Sequence, residues 1–432
     1  MKKKRREKVL SMKKGKERIL LVGQTPSKFT GNGNMMQMCI NQVDQSQYDL
    51  FALLFGTPYI EGLKNPWKDP YNPGCRFFYL QKEGNDWGSN QLLQFLEMYE
   101  VDQIIFIGID IWRYLGIMPK IRKICSQKKI IWKVLAPYDL TKFREDWGKW
   151  FNQPDQVYIY SEYGYNILKE HIENCYYFRP QPRYLRYLKP PSSEEKLNLR
   201  KALFPDATEE TIIIGFIGNN QVRKNVLRMM EGVAEISKQE KNIIFYLHMD
   251  TVTGMYDIEM LAQDLKFPKK MVRHNGRSRR LFPEELISVC KTFDLYLLPS
   301  IQEGLSWTVI EMALLGIPCA LSLTTSHKDY LQCETIKQLA IPMKDTASLA
   351  LPTDRGISYI PTKACSPKDI AESIQKFINL KRKEPDEIEL VKEDMLHFGK
   401  EWVKGCHNMS MILRNKTVKN IGQFKSKLGE VL

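Results

Sequence analysis

The sequence predicts an α/β protein built from two successive parallel-sheet halves, and three observations carry that prediction. Short apolar runs alternate with helical patterns, first at 18–23, 101–107, 129–135 and 157–160, then at 211–218, 243–247, 271–273 and 293–298. Such alternation is the pattern of doubly wound sheets with crossover helices. A proline-rich stretch without periodicity, 179–193, separates the two series and reads as a linker. Finally, Gly31, Gly33, Gly108, Asp139 and Ser161 all follow strand-like runs, and open α/β sheets bind ligands beyond the C-terminal ends of their strands.

Composition sets the bounds. The chain has 432 residues, enough for two or three domains, and 43% hydrophobic content, too much for a wholly disordered chain. No apolar run reaches the roughly 18–20 residues that span a bilayer. The N-terminus lacks the apolar core of a secretory signal. Nine cysteines without a CxxC pair predict reduced thiols rather than a disulfide frame. None of the six histidines stands at ligand spacing from a cysteine or another histidine, so no metal site is expected. These features predict a cytoplasmic protein. Of the net charge of +14, residues 1–16 supply +8, from nine Lys/Arg and Glu7. That tail is predicted to be disordered, with two open roles: contact with nucleic acid or an anionic membrane surface, which makes the protein peripheral to a membrane, or simple solubilisation.

In the first half, the run 18–23 leads into a Gly/Asn loop at 30–34 and a helical pattern over 35–43. Gly31 and Gly33 permit close backbone approach to a ligand. Asp139, after Pro137 and Tyr138 at a strand end, is either a site residue or a helix N-cap. The segment 65–79 mixes Trp67, Tyr71, Phe77, Phe78 and Tyr79 with Lys68 and Arg76; it reads as a stacking platform or as a packed surface loop.

In the second half, Gly218 is followed by Arg223 and Lys224 at the start of a helix that runs through 234. A basic cluster over 269–280 contains Lys269, Lys270, Arg273, Arg277, Arg279 and Arg280, offering phosphate contacts or a solvated loop. The apolar run 293–298 ends at Pro299, a turn carries Glu303 and Gly304, and a helix over 307–315 is stopped by Gly316 and Pro318. The N–H groups of Leu305, Ser306 and Trp307 then stand at a helix N-terminus, where anions bind. Glu311 lies inside that apolar helix and needs a polar partner. Amphipathic spacing over 369–380 and a helical tract over 387–413 complete the chain.

The string Pro299, Ser300, Glu303, Gly304, Glu311, Ala313, Gly316 and Pro318 resembles the donor-binding signature of the retaining glycosyltransferases of family 4, which have the GT-B fold. The resemblance is sharp over 293–320, extends to Gly218 and Lys224 in 211–235, and is architectural before 180. It implies two Rossmann-like doubly wound domains facing across a cleft, with the C-terminal helix crossing back to the first. The expected divisions are a basic tail over 1–16, an acceptor-side domain over 17–180, a linker over 181–205, a nucleotide-sugar domain over 206–385, and returning helices over 386–432.

The implied reaction moves a sugar from a nucleotide-sugar, such as a UDP- or GDP-sugar, to an acceptor hydroxyl with retention at the anomeric carbon. By this resemblance Glu303 binds donor sugar hydroxyls and Lys224 the diphosphate. The N–H groups of residues 305–307 cap the distal phosphate, Glu311 holds the ribose, and the loop after Arg273 lies near the base. No resident cofactor or metal is expected, because lysine and helix dipoles neutralise the leaving diphosphate. Two departures stand out. Asn219 occupies the place of the family's arginine, leaving Arg223 as the candidate substitute. No histidine precedes His171, leaving Asp139 as the first-domain candidate. A carbohydrate or lipid-linked acceptor is favoured. The alternatives are a hydroxymethylated base in DNA, as for phage enzymes of this fold, and an inactive nucleic-acid-binding shell. Glu303, being on a turn, is expected to be replaceable without harm to the fold.

Overall fold

The computed structural model describes residues 15–26, 30–55, 67–69, 72–80, 88–108, 114–182, 184–249, 254–275, 281–353, 356–383 and 385–418. The first half builds one sheet of eight strands: β1 (Glu17–Gln24), β2 (Tyr48–Phe55), β3 (Trp67–Asp69), β4 (Asn72–Tyr79), β5 (Gln103–Ile107), β6 (Ile131–Ala136), β7 (Gln156–Ile159) and β8 (Cys175–Tyr177). Their order is β3-β4-β2-β1-β5-β6-β7-β8, parallel except for the β3–β4 pair. Strand β1 holds Ile19, Leu20, Leu21 and Val22 with no exposed surface. Burial on both faces follows from helices covering both sides of a parallel sheet.

The second half repeats the plan with β9 (Ile212–Ile217), β10 (Ile243–His248), β11 (Val272–His274), β12 (Leu295–Leu298) and β13 (Cys319–Leu321), ordered β11-β10-β9-β12-β13 and all parallel. An antiparallel ribbon, β14 (Asp345–Thr353) with β15 (Gly356–Ala364), follows. It is anchored by Leu349 and Ala364 on Ile301 of the second half, while Ile360 packs on the core of the first. This architecture is that of the GT-B fold, with two Rossmann-like sheets and a chain end that packs back.

Three local readings change. The tract 30–34 is not a loop: helix Gly31–Gln42 begins there, with Thr30 as N-cap accepting from the Gly33 N–H at 3.1 Å. Burial of Met35, Met36, Cys39 and Ile40 outweighs the poor helix propensity of two glycines. The aromatic segment 65–79 is not a surface platform where it is described. It forms β3 and β4, with Phe77 buried and Phe78 packed against Phe95 at 5.2 Å between ring centres. Within the stretch expected as linker, Ser193–Leu203 is a helix. Its Lys196 and Arg200 both pair with buried Asp294 at the foot of β12. Lys381 joins that carboxylate at 2.8 Å, so the linker helix and helix Pro367–Lys383 share one anchor.

The chain end returns in two steps. Helix Pro385–Lys404 packs on the second half through Met395, Phe398 and Trp402. The short helix Met409–Arg414 then enters the core of the first half, inserting Met409, Ile412 and Leu413 among Leu21, Ile105 and Tyr158. A row of fully buried polar side chains on neighbouring strands receives its carbonyls. Gln103 donates to Leu413 O at 3.0 Å, Lys133 to Ile412 O and to Asn415 O at 2.7 Å, and Gln156 to Thr417 O at 2.8 Å. Residues 1–14 and 419–432 lie outside the described residues.

Candidate active site

Beyond the C-terminal end of β12 the chain turns at Glu303 and Gly304 into helix Trp307–Leu314. Glu303 is only 3% exposed. Its Oε1 accepts from Lys224 Nζ and, at 2.7 Å, from Ser300 Oγ, while Oε2 accepts from Arg223 Nη1 at 3.0 Å. Both cations come from the 3₁₀ turn Val222–Lys224, beyond the end of β9. The neighbouring strands β9 and β12 therefore bring the two turns together. Backbone contacts lock them: the Ile301 N–H donates to Arg223 O at 2.7 Å. Gly218 belongs to the same cluster, since a Cβ there would lie 3.5 Å from Lys224 Cε and 2.9 Å from the Phe216 ring.

Electrostatics keeps the carboxylate ionised. Burial pushes its pKa up, but Lys224 and then Arg223 outweigh that and hold it at about 2. Burial lowers the Lys224 pKa from the usual amine value, and the facing carboxylate opposes the shift. The expectation that Glu303 is dispensable to the fold is thereby corrected. It is the shared anion of two cations, one of them buried, and removing it strands Lys224.

A second segment holds this turn from behind. After β13, the 3₁₀ helix Thr325–Tyr330 exchanges hydrogen bonds with the Glu303 backbone. The Glu303 N–H donates to Thr325 Oγ1 at 2.9 Å, and Thr325 Oγ1 donates to Glu303 O at 2.7 Å. The Ser306 N–H donates to Tyr330 Oη at 3.1 Å, and Ser306 Oγ lies 2.8 Å from His327 Nε2. These residues were not singled out from the sequence. Their signal was a polar stretch, Thr324, Thr325, Ser326 and His327, shortly after a buried strand in the half that carries the motif.

The first half closes the other side. A Cβ on Gly304 would lie 2.4 Å from Pro137 Cβ, and one on Gly31 would lie 3.6 Å from the Trp307 ring. Trp307 is buried within the first half's core, and Leu305 packs on the cores of both halves. Asp329 accepts from the Tyr163 N–H at 3.0 Å, and Lys328 stands 5.3 Å from the Tyr163 ring centre. Burial raises the Asp329 carboxyl to about 7, against hydrogen bonds from the backbone of Tyr163 and Glu162.

The structure thus gathers Gly31, Gly218, Arg223, Lys224, Glu303, Gly304, Leu305, Ser306 and Trp307 around one turn. Asp139 follows Pro137 and Tyr138, whose backbone abuts Gly304, and so lies on the segment that meets the turn. Helix Glu145–Phe151 starts beyond it, with Arg144 at the N-cap position, so Asp139 is not a helix cap. Glu311 is half-buried within helix Trp307–Leu314. Gly33 has a different reason to be glycine: its N–H is taken by Thr30, and a Cβ would lie 2.8 Å from Thr25 O. Arg273 is not brought to Glu303. It pairs with Asp206 at 2.5 Å in a separate pocket of about 450 Å³, beside Lys270, Tyr246 and His274. The remainder of the basic cluster, 276–280, lies outside the described residues. Among the described residues, no group of three or more His, Cys, Asp or Glu side chains is placed to hold a metal ion, and no helix is long and apolar enough to cross a membrane.

No protein-family model matches the sequence, and no curated protein is significantly similar to it. Solved structures do match. Sucrose-phosphate synthase from Thermosynechococcus elongatus is similar with a TM-score of 0.67 at 14% identity, over 96% of this chain and 100% of that one. Anabaena HepE in complex with UDP and glucose gives 0.61 at 11% identity, over 89% and 94%. WaaG, a glycosyltransferase involved in lipopolysaccharide biosynthesis, gives 0.60 at 11%, over 88% and 95%. At these identities the likeness shows the GT-B fold across nearly the whole chain.

Proposed function

We propose that the protein is a retaining glycosyltransferase, similar to family 4, that uses a nucleotide-sugar donor. The observation that carries this reading is the buried Glu303 carboxylate, held by Lys224 and Arg223 at the mouth of helix Trp307–Leu314, on a turn whose Gly304 and Trp307 meet Pro137 and Gly31 of the other half. Lys224 and Arg223 supply positive charge where a diphosphate leaves, and the helix N-terminus adds N–H donors. In this reading a donor takes over the two cations and leaves the Glu303 oxygens for sugar hydroxyls. Arg223 thereby serves in place of the arginine absent at Asn219. Glu311, on the same helix, is assigned to the ribose. Asp139 is the first-half residue assigned to the sugar or acceptor.

In the reaction, the bond from the anomeric carbon to the distal phosphate oxygen breaks. A bond to the acceptor oxygen forms on the same face, and the acceptor proton passes to the departing diphosphate. HepE, of the same fold, binds UDP and glucose, which supports a UDP-sugar as the first donor to test. WaaG's role in lipopolysaccharide biosynthesis supports a lipid-linked or carbohydrate acceptor, and the basic tail fits an anionic membrane surface. The DNA-acceptor reading loses one support, since Phe77 and Phe78 belong to strand β4 rather than to an open platform. The test is a thermal-shift panel of UDP- and GDP-sugars, followed by transfer of labelled sugar. Lipid-linked glycans in liposomes are compared with hydroxymethylated and unmodified DNA. Transfer that depends on the hydroxymethyl group overturns the acceptor assignment, and no shift with any nucleotide-sugar overturns the donor assignment.

A further inference from the structure

A serine at a helix N-cap normally turns its hydroxyl inward and accepts from the N–H two or three residues on. Ser306 occupies that position for helix Trp307–Leu314, yet its side chain makes no capping hydrogen bond. The hydroxyl is held 2.8 Å from His327 Nε2 instead. The direction of that bond is fixed by the other ring nitrogen. His327 Nδ1 lies 2.9 Å from the carbonyl oxygen of Ser322, which can only accept, so Nδ1 carries the proton and Nε2 accepts from Ser306 Oγ. The ring is 1% exposed, and burial pushes its pKa down to about 4, keeping it neutral at pH 7.

The consequence lies at the helix mouth. Among the described residues, no group accepts from the N–H of Trp307 or of Thr308. Thr308 is the donor that a capping serine would take, since the other candidate, the Val309 N–H, already donates to Ser306 O at 3.1 Å. Tyr330 completes the arrangement by taking the Ser306 N–H at 3.1 Å, which fixes the backbone while His327 fixes the side chain. From this geometry we infer that His327 is a positioning residue: it draws the Ser306 hydroxyl away from the helix N-terminus, so that the first-turn N–H groups stay open for the distal phosphate of a nucleoside diphosphate donor. The inference rests on the donor-site reading above and adds to it a buried histidine that touches neither sugar nor phosphate.

Without the histidine acceptor, the Ser306 hydroxyl rotates into its ordinary capping role and must be displaced by the phosphate. The test is a double-mutant cycle on UDP and GDP affinity by calorimetry, with wild type, S306A, H327F and S306A/H327F. Phenylalanine fills the ring space beside Tyr330, 5.9 Å between ring centres, but accepts no hydrogen bond. H327A serves as a second variant if H327F does not fold. Losing the acceptor should weaken binding about fivefold, the worth of one serine cap. In the S306A background the same replacement should cost nothing, because no hydroxyl remains to intrude. H327Q, whose amide oxygen reaches the place of Nε2, should retain affinity. A loss of affinity that persists in S306A/H327F, or no loss in H327F and H327A, overturns the inference while leaving the donor site standing. Failure of wild type to bind either nucleotide overturns the donor reading and this inference together.

Discussion

The carboxylate of Asp329, in the second half of the chain, accepts a 3.0 Å hydrogen bond from the backbone N–H of Tyr163, in the first. Tyr163 stands in the first turn of helix Glu162–Leu168, so the acid meets the positive end of that helix. The same 3₁₀ helix turns Thr325 and His327 toward the Glu303 turn. One short segment therefore touches both the candidate donor site and the opposite half of the molecule.

The first prediction concerns this contact and pH. The Asp329 carboxyl is raised to about 7 by burial, above its unfolded value near 4. Its protonated form thus stabilises the folded contact fully below about pH 4, and that contribution is lost as pH rises through 7. D329N keeps an acceptor and never ionises. It should melt higher than wild type at pH 8, with the difference shrinking toward pH 5 by an amount on the order of 2 kcal/mol. Melting curves that run parallel across this range would contradict the assignment.

Glu303 is predicted to matter to stability as well as activity. E303A leaves Lys224 buried without its anion and should cost about 3–5 kcal/mol in chemical denaturation. E303Q, which keeps an acceptor for Ser300, should cost less. Both should lower kcat/KM for sugar transfer by an amount equivalent to about 2–4 kcal/mol. With its pKa held at about 2, the wild-type pairing contributes stability above the unfolded carboxylate value and loses it as pH falls through 2. Near-wild-type turnover in E303Q would remove Glu303 from the site.

Two glycines give a contrast that needs no ligand. G304A places a Cβ 2.4 Å from Pro137 Cβ, whereas G31A places one 3.6 Å from the Trp307 ring, an ordinary contact. G304A should therefore push the halves apart and destabilise by about 1–3 kcal/mol. G31A, at the start of a helix, should be neutral or slightly stabilising. Equal melting temperatures for the two variants would show that the halves do not meet at this turn.

The tail is a separate matter. Deleting residues 1–16 removes +8 of charge, and binding to anionic vesicles or DNA should weaken and lose much of its salt dependence. An unchanged salt slope in co-sedimentation would assign the tail to solubility alone.

Much of this was legible in the sequence because it depends on local signals. The strand runs ending at Gly23, Ala136 and Leu298 are apolar and short, and Glu303, Gly304 and Gly316 keep fixed spacing. What was missed depends on partners far along the chain. Gly31 and Gly33 read as a loop by propensity, yet burial of Met35 and Cys39 beneath them makes a helix. Phe77 and Phe78 read as part of a stacking platform or a packed surface loop, until β2 is seen beside β4. Among its described side chains, the ribbon β14–β15 sets Leu349 and Ala364 on Ile301 and Ile360 on the first core, too thin a pattern to stand out. Glu303 reads as dispensable to the fold because its turn is visible in sequence, whereas its pairing with Arg223 and Lys224, about 80 residues earlier, is not.

The row Gln103, Lys133 and Gln156 has a consequence for how the molecule is made. The first sheet is complete in sequence by residue 177, but the Lys133 ammonium meets its carbonyl partners, and Gln103 and Gln156 meet part of theirs, in residues 412–417. A ribosome releases the sheet long before it releases that segment, so the emerging first half waits with an unfilled apolar groove and a buried lysine lacking its carbonyls until residues 409–417 follow. Its final locking is thus a late event, a loop closure across some 300 residues. A fragment ending before Met409 should accumulate in the same unfinished form, susceptible to proteases at strands that are fully buried in the finished chain.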